Sequence, residues 1–416
     1  MRAMKDSEVD WIGEIPIQWQ LVPTKRVFKG KKQIAGANSE MYERLALTMN
    51  GVVKRNKDDN EGLQPEQFDS YQILESNELV FKLIDLQNIR TSRVGLSPYT
   101  GIVSPAYIIL TNTKSDNRFY YYWYFDMYNR CVFHRMGGDG VRSALNLKDV
   151  LEIPIPMISD AEQQRIAEFL DRKCAEVDEM IALQEQIIEE LKAYKQSVIT
   201  EAVTKGLNPA APMRDSGIEW IGSIPEHWEV KRGKFMFQIL SGAPFESELF
   251  TNDSNYMPLI RIRDIMHEDT EAYYMGAYTQ EYIVSKGDIL VGMDGDFNVA
   301  SWKGKNALLN QRVCKLYNFK SDIHPRFIYY TLPLLLKRKN DLTYATTVKH
   351  LSTFDILAFP FTIPPITEQQ AIADYLDEKC ADIDSLIQTK QSKIDSLKEY
   401  KKSIIYEYVT GKREVE

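Results

Sequence analysis

The residues best suited to chemistry in this chain are cations, gathered in two comparable sets, and the chemistry they suit is phosphate neutralisation. In the first half stand Lys54, Arg55 and Lys57 of "VVKRNK", Arg90 and Arg93 of "NIRTSR", then Arg135 and Arg142. In the second half stand Arg261 and Arg263 of "LIRIRD", Lys303 and Lys305 of "WKGK", Arg312, and Lys349 beside His350 in "VKH". Arginine can bond bidentately to guanine, Asn or Gln to adenine, while Lys mostly anchors phosphate. Each residue taken alone reads as solvated loop charge. Similar groups in both halves, set among glycines and turn residues, make a stronger case for nucleic acid.

Catalytic patterns are not found. The five histidines (His134, His227, His267, His324, His350) lack metal-ligand spacing and read as surface or turn residues. "DGDFN" (294–298) begins like a calcium loop, but Val299 stands where glycine is required and Lys305 where the bidentate glutamate belongs, so it reads as a turn. "SPAY" (104–107) lacks the second proline of an amino-methyltransferase signature, and no Gly-rich cofactor loop precedes it. No phosphate-binding G-x-x-x-x-G-K-[ST] loop is present, and "GGDG" (137–140) reads as a loop. Four scattered cysteines suggest neither a disulfide frame nor zinc. Cys174 and Cys380 take equivalent places in a repeat and suggest packing. The chain reads as non-catalytic, with no metal site.

The bulk numbers are those of a globular protein of two or three domains: 416 residues, 44% hydrophobic and 26% charged. No run approaches the roughly 20 apolar residues that cross a bilayer, and the first residues lack a signal-peptide core. A cytoplasmic location with no membrane contact is expected. A net charge of −8 argues against nucleic-acid binding only if charge is spread evenly, which total charge does not reveal.

The cations must be positioned by something, and the chain states its scaffold twice. "DSEVDWIGEIPIQW" (6–19) returns as "DSGIEWIGSIPEHW" (215–228), an offset of 209 residues. "EQQRIAEFLDRKC" (162–174) returns as "EQQAIADYLDEKC" (368–380), an offset of 206. "DVLEIPIP" (149–156) corresponds to "DILAFPFT" (355–362). A period this long indicates a duplicated domain pair.

Each half ends in a long amphipathic helix. Asp160 with Gln163, and Thr367 with Gln370, fit capping boxes. Ile166, Leu170, Val177, Met180, Ile187, Leu191, Tyr194 and Val198 keep a heptad-like seam, as do Ile372, Leu376, Ile383, Leu386, Leu397, Tyr400 and Ile404. Lys173, Gln184, Lys379 and Lys390 interrupt these seams. Gly206 with Pro209 stops the first helix, and Gly411 lies near the end of the second. The two seams predict an antiparallel coiled coil; the other reading lays each helix on its own domain. Between these edges, "NELVFKLIDLQNI" (77–89), "GIVSPAYIILTN" (101–112) and "GDILVGMDGDF" (287–297) read as strands, while 118–128 and 325–339 read as helices. The class is mixed α/β.

The doubled "WIG.IP..W" opening and doubled "EQQ.IA..LD.KC" helix start, with diverged domains between them, resemble the specificity subunit of Type I restriction–modification enzymes across the whole chain. The resemblance implies two target recognition domains, each reading one half of a bipartite, asymmetric double-stranded DNA site. It implies an internal pseudo-twofold repeat whose helices act as spacer and as dock for two methyltransferase subunits, with motor-nuclease subunits added for cleavage. S-adenosylmethionine, ATP and Mg would then belong to partner subunits, with no cofactor in this chain. The expected divisions are 1–158 and 215–364 for the recognition domains, 159–206 and 365–416 for the helices, and 207–214 for a linker. The other function class is a structural coiled-coil adaptor that pairs two protein-binding domains without DNA. The family's recognition domains vary by design, so the cationic residues rest on physical argument alone.

Overall fold

Both halves open with the same hairpin. Met4–Asp6 pairs antiparallel with Glu14–Pro16, and Met213–Asp215 with Ser223–Pro225, in one register: Met4 faces Pro16 and Met213 faces Pro225. Gly13 and Gly222 hold φ near +70°, a conformation open to glycine at no steric cost. The computed structural model describes all residues except 1, 49–50, 57–67, 85, 87–92, 115, 137–143, 220, 343–348 and 416. "GGDG" and the candidate cations Lys57, Arg90 and Arg142 lie outside the described residues.

The first domain carries two four-stranded sheets. We number its strands β1 (Lys29–Lys31), β2 (Arg44–Thr48), β3 (Gly51–Arg55), β4 (Gln72–Leu74), β5 (Leu79–Phe81), β6 (Val94–Leu96), β7 (Gly101–Val103) and β8 (Ile108–Thr111). One sheet has the order β3-β2-β7-β4, the other β1-β8-β5-β6. The second domain has β9 (Gln238–Ser241), β10 (Phe250–Thr251), β11 (Met257–Ile260), β12 (Tyr273–Tyr274), β13 (Ile283–Val284), β14 (Ile289–Gly292), β15 (Val299–Ser301), β16 (Ala307–Leu309) and β17 (Val313–Tyr317). Its sheets run β10-β12-β11-β16-β13 and β9-β17-β14-β15. The two domains therefore share a strand order despite their diverged sequences, the second adding β10 at one edge. Each contains one parallel pair, β2 with β7 through Arg44 and Ile102, and β11 with β16 through Leu259 and Leu308.

Four longer helices support these sheets: α1 (Arg118–Asn129), α2 (Asp160–Lys205), α3 (Pro325–Leu342) and α4 (Ile366–Val409). Eight of the twelve residues of α1 are aromatic, and it buries Phe119, Tyr120, Trp123 and Tyr124, while α3 buries Phe327, Ile328 and Leu332 against the second core. The opening tryptophans close the same cores: Trp19 and Trp228 are each 1% exposed. Edge strands tie opening to exit, with Gln20–Pro23 on Pro154–Met157 and Glu229–Arg232 on Pro360–Ile363. Identical opening residues thus have identical structural work.

The chain forms two compact units, residues 1–185 with 391–416, and 186–390, so each unit takes part of both α2 and α4. In the first unit the tilted rings of Phe169 and Tyr408 meet with centroids 4.2 Å apart, and Lys401 reaches Asp178 at 2.7 Å. Higher numbers on α2 meet lower numbers on α4, so the helices run antiparallel there. In the second unit Lys195 pairs with Asp384 at 2.7 Å, and Ala202 and Val203 share a core with Ile372 and Leu376.

The seam differs from its sequence reading by one residue. Met180, Tyr194, Leu386 and Tyr400 are 50, 59, 50 and 54% exposed. Ile181, Ile188 and Lys195 of α2, with Ile387, Ile394 and Lys401 of α4, are the more buried and continue the four-three spacing from Leu170 and Leu376. Adjacent apolar pairs such as Met180-Ile181, Ile187-Ile188 and Leu386-Ile387 make both registers equally apolar, so composition could not choose.

The capping boxes also differ. The backbone N–H groups of Glu162 and Gln163 donate to Ser159 O at 3.0 Å, and those of Glu368 and Gln369 to Pro365 O at 2.9 and 3.0 Å. Asp160 and Thr367 therefore do not occupy the cap. Asp160 instead pairs with Lys114. Gln163 donates to Ile158 O at 2.9 Å, and Gln369, its repeat equivalent, to Pro364 O at 2.8 Å. These glutamines fasten the helix start to the preceding strand.

Candidate nucleic-acid interface

The described candidate cations fall in unlike environments. Lys54 is half exposed and pairs with Glu43 at 2.5 Å, above the Tyr99 ring at 5.0 Å. The hydrogen bond to Glu43 raises its ammonium pKa. Arg55 follows on the same strand and is partly buried. Arg93 is 2% exposed, so its side chain is withdrawn from solvent; this corrects its reading as a loop cation. The cause is its place at the entrance to β6, where its carbonyl accepts from Lys82 N at 3.0 Å. Arg135 is exposed on a short helix, with Nη2 donating to Arg130 O at 3.2 Å. Arg261 is largely engaged inside its loop, Nε lying 3.0 Å from Asp264 Oδ2. Arg263 is exposed with no ion pair among the described residues. Lys303 is exposed and lies 3.8 Å from Glu268, while Lys305 is exposed and accepts Trp302 Nε1 on its carbonyl at 2.7 Å.

In the second domain three separate segments are tied together by main chain. Met293 N donates to Arg312 O at 3.0 Å, Leu351 N to Met293 O at 2.8 Å and Gly295 N to Lys349 O at 3.2 Å. On this frame Asp294 accepts from His350 Nδ1 at 2.7 Å through Oδ1 and meets Arg312 Nη1 at 3.1 Å through Oδ2. Arg312 and His350 remain 57% and 56% exposed, and Lys349 adjoins them. Ile262 and Ile265 pack over Gly292, where an added Cβ would meet them at 3.1 and 3.3 Å, so the loop carrying Arg263 adjoins the same frame. Gly295 and buried Phe297 hold φ of +73° and +52°. "DGDFN" is thus a tight turn, as its sequence indicates. Its first carboxylate serves an arginine and a histidine, a pairing that spacing alone did not reveal.

The first domain repeats part of this frame with different side chains. Leu145 N donates to Leu83 O at 3.0 Å, matching Leu351 and Met293. Tyr107 N donates to Ser104 O at 3.1 Å, matching Val313 and Asn310 at 2.9 Å. Moving one residue along each match places Ile84, Ala106 and Ala144 where Asp294, Arg312 and His350 stand. By contrast, Lys54 and Arg55 face Leu45 and Arg44, at the start of β2. Arg44 corresponds to Leu259 through the parallel pairs, so Leu45, which faces Lys54, corresponds to Ile260, the residue before Arg261.

Of the histidines, His134, His227, His267 and His350 are exposed. His324 is partly buried, where desolvation lowers its pKa, and its backbone N–H donates to Gln369 Oε1 at 2.8 Å. Among the described residues no group of three His, Cys, Asp or Glu could hold a metal ion, and no helix is long and apolar enough to cross a membrane. Burial pushes the Cys174 thiol up to about 11 and Cys314 to about 12.

Two domains of similar strand order but different side chains, each packed on antiparallel helices, define a duplicated two-domain protein. The chain belongs to the family of the Type I restriction modification DNA specificity domain, which matches residues 23–193 and 225–410. It is similar to the Type I restriction enzyme EcoBI specificity subunit of Escherichia coli, 36% identical over 198 residues, 48% of this chain and 42% of that one. It is also similar to the Type I restriction enzyme MjaVIII specificity subunit of Methanocaldococcus jannaschii, 27% identical over 279 residues, 63% of this chain and 62% of that one. The chain thus spans less than two thirds of the length of these relatives. A chain solved in work on complex assembly and conformational transition of the type I R-M system has the same fold, with TM-score 0.71, 14% identity, and 95% and 98% of the two chains covered.

Proposed function

We propose that this chain is the DNA-recognition subunit of a Type I restriction–modification complex, each domain reading one half of a bipartite, asymmetric duplex site. The observation that carries the reading is the contrast between repeated edges and diverged interiors on one strand frame. Identical edges suit two copies of one partner; unlike interiors suit two unlike half-sites.

The partners proposed are two methyltransferase subunits, with motor-nuclease subunits joining for cleavage. Support for paired docking comes from the apolar side chains that the helices leave exposed at repeat-equivalent places: Met180 and Tyr400 in one unit, Leu386 and Tyr194 in the other. Singly exposed apolar residues are ordinary on a protein surface, so the support lies in their repetition at matching places on the two helices. The chain itself would supply no catalytic group; S-adenosylmethionine, ATP and Mg would be held by the partners, in the cytoplasm where the genome lies.

Exchange of residues 20–150 for another such domain, followed by sequencing of methylated bases in a host expressing the methyltransferase partner, tests this. One half-site is expected to change and the other to persist. A change in both overturns the two-reader arrangement, and duplex binding with no salt dependence in the assembled complex favours a protein adaptor instead.

A further inference from the structure

Asp294, Arg312 and His350 form a device that exposed surface charge does not require. Solvent-exposed ion pairs add little to stability, so the fold gains little from bringing three segments to one carboxylate. Yet the segments are locked by main chain: Met293 to Arg312, Gly295 to Lys349 and Leu351 to Met293. The turn between them carries a buried non-glycine residue, Phe297, in the left-handed region at φ +52°, a conformation retained only where surroundings enforce it. The outcome is two exposed polar heads held at fixed separation. Arg312 has Nη1 on Asp294 and keeps Nη2 and Nε, while His350 has Nδ1 on Asp294 and keeps Nε2.

The first domain supplies the comparison. The matching positions hold Ile84, Ala106 and Ala144, all exposed and none able to hydrogen-bond through its side chain. A network needed for folding would be kept in both copies of a duplicated fold. This one is replaced, polar for apolar, while the Leu351 to Met293 backbone bond beneath it persists as Leu145 to Leu83. That is the behaviour of a variable contact on a constant support.

Resting on the DNA-recognition reading above, we infer that Arg312 reads a guanine in the half-site of the second domain, with His350 contacting the same step and Asp294 acting as the positioning residue that holds both. Arginine to guanine O6 and N7 is the commonest specific major-groove contact, and it needs a side chain held rigidly by its neighbours. At the equivalent place the first domain offers methyl groups, which suit a thymine methyl and reject a hydrogen-bonding edge.

The test uses the full chain with its methyltransferase partner in a host whose methylated bases are then sequenced. The variants are Arg312→Ala, Arg312→Lys and Asp294→Asn. Wild type is expected to give a two-part motif; if it gives none, the DNA-recognition reading itself fails, independently of these residues. Arg312→Ala is expected to relax one G·C pair of the second half-site, lowering preference there by roughly 5- to 150-fold, while the first half-site stays fixed. Asp294→Asn is expected to relax the same pair, which a general loss of folding would not do. Arg312→Lys keeps the charge but loses the fork, so it is expected to relax that pair too; full retention of the wild-type motif by Arg312→Lys makes Arg312 a phosphate contact and overturns the inference. An unchanged motif in all three variants, or relaxation in the first half-site, overturns it as well. If Arg312→Ala abolishes methylation altogether, the purified complex is offered competing duplexes that differ at single base pairs of the second half-site. Lost preference at one G·C pair then supports the inference, and preference unchanged at every pair overturns it.

Discussion

The hydroxyl of Tyr122 donates to Oδ1 of Asp171 at 2.7 Å, joining α1 of the first domain to α2. Arg118 reaches the other oxygen of that carboxylate at 2.6 Å. The second domain repeats the clamp: Tyr330 donates to Asp377 at 2.6 Å, and Arg326 pairs with the same aspartate at 2.8 Å. Burial and the adjacent carboxylate push both tyrosine hydroxyls well above their ordinary pKa, so both stay donors at any working pH. Tyr122→Phe is expected to cost about 1–2 kcal/mol, the range for a hydrogen bond to a charged group tempered by partial exposure. Denaturant unfolding of the full chain would show it as a lowered midpoint with an unchanged slope. Tyr330→Phe is expected to match it, and a difference of several kcal/mol between the two would mean that the clamps are not equivalent.

Thiol chemistry follows from burial. Cys174 and Cys380 sit beneath these clamps and Cys314 lies within β17, all three buried, while Cys131 is exposed. Burial raises the folded pKa of Cys174 to about 11 and of Cys314 to about 12, and also raises that of Cys380. The thiolate is therefore disfavoured until pH approaches those values, and between the ordinary thiol pKa and the raised one increasing pH favours the unfolded chain. At about pH 8, near the ordinary thiol pKa, an alkylating reagent is expected to label Cys131 alone. Mass spectrometry of peptides reads the labelling, with the other three cysteines modified only after denaturation. Rapid native labelling at Cys174 would contradict its burial.

These contacts show where sequence reading ran out. The openings and helix starts were legible because identical residues perform identical packing, as Trp19 and Trp228 do. The clamp was also spelled twice, as Arg118-Phe119…Tyr122 and Arg326-Phe327…Tyr330, but at an offset of 208 residues while the helices repeat at 206, so no single alignment displays it. The seam was ambiguous by one residue because isoleucine follows methionine, isoleucine or leucine at Ile181, Ile188 and Ile387. The cations were visible as residue types but not as places. Arg93 is buried by the strand it introduces, and Lys54 is paired with Glu43. Asp294, Arg312 and His350 are separated by 18 and 38 residues, and their counterparts share no chemistry, so only the backbone bonds reveal the relation.

That placement gives a salt-dependence test on the assembled complex. Arg263 and Lys349 adjoin the frame, whereas Lys54 has its charge matched by Glu43. Each phosphate that a cation neutralises adds about 0.9 to the slope of log affinity against log salt. Arg263→Ala combined with Lys349→Ala is therefore expected to flatten that slope by about 1.8. Lys54→Ala is expected to change it by much less than a single phosphate would. Equal flattening from both would mean that Lys54 contacts phosphate despite its pairing with Glu43.

The helices carry the last prediction. Lys195 with Asp384 and Lys401 with Asp178 are the same ion pair written twice, each residue 206 positions from its repeat equivalent, so the antiparallel register is stated in both units. If the helices set the gap between half-sites, a heptad added to both should widen it. Seven residues contribute ~10 Å at ~1.5 Å each, with only ~20° of residual rotation. At ~3.4 Å per base pair that is roughly three base pairs. Adding the heptad to one helix alone would slide Leu191 and Ile188 off their partners and expose seam residues, so that variant is expected to unfold at lower denaturant. The doubly extended chain should keep both half-sites and prefer a gap wider by about two or three base pairs. Its affinity should fall, because three added base pairs also turn the second half-site by ~100° at ~10.5 base pairs per turn. Sequencing the methylation it directs decides the matter: a wider gap with both half-sites intact assigns spacing to the helices, and an unchanged gap removes that role from them.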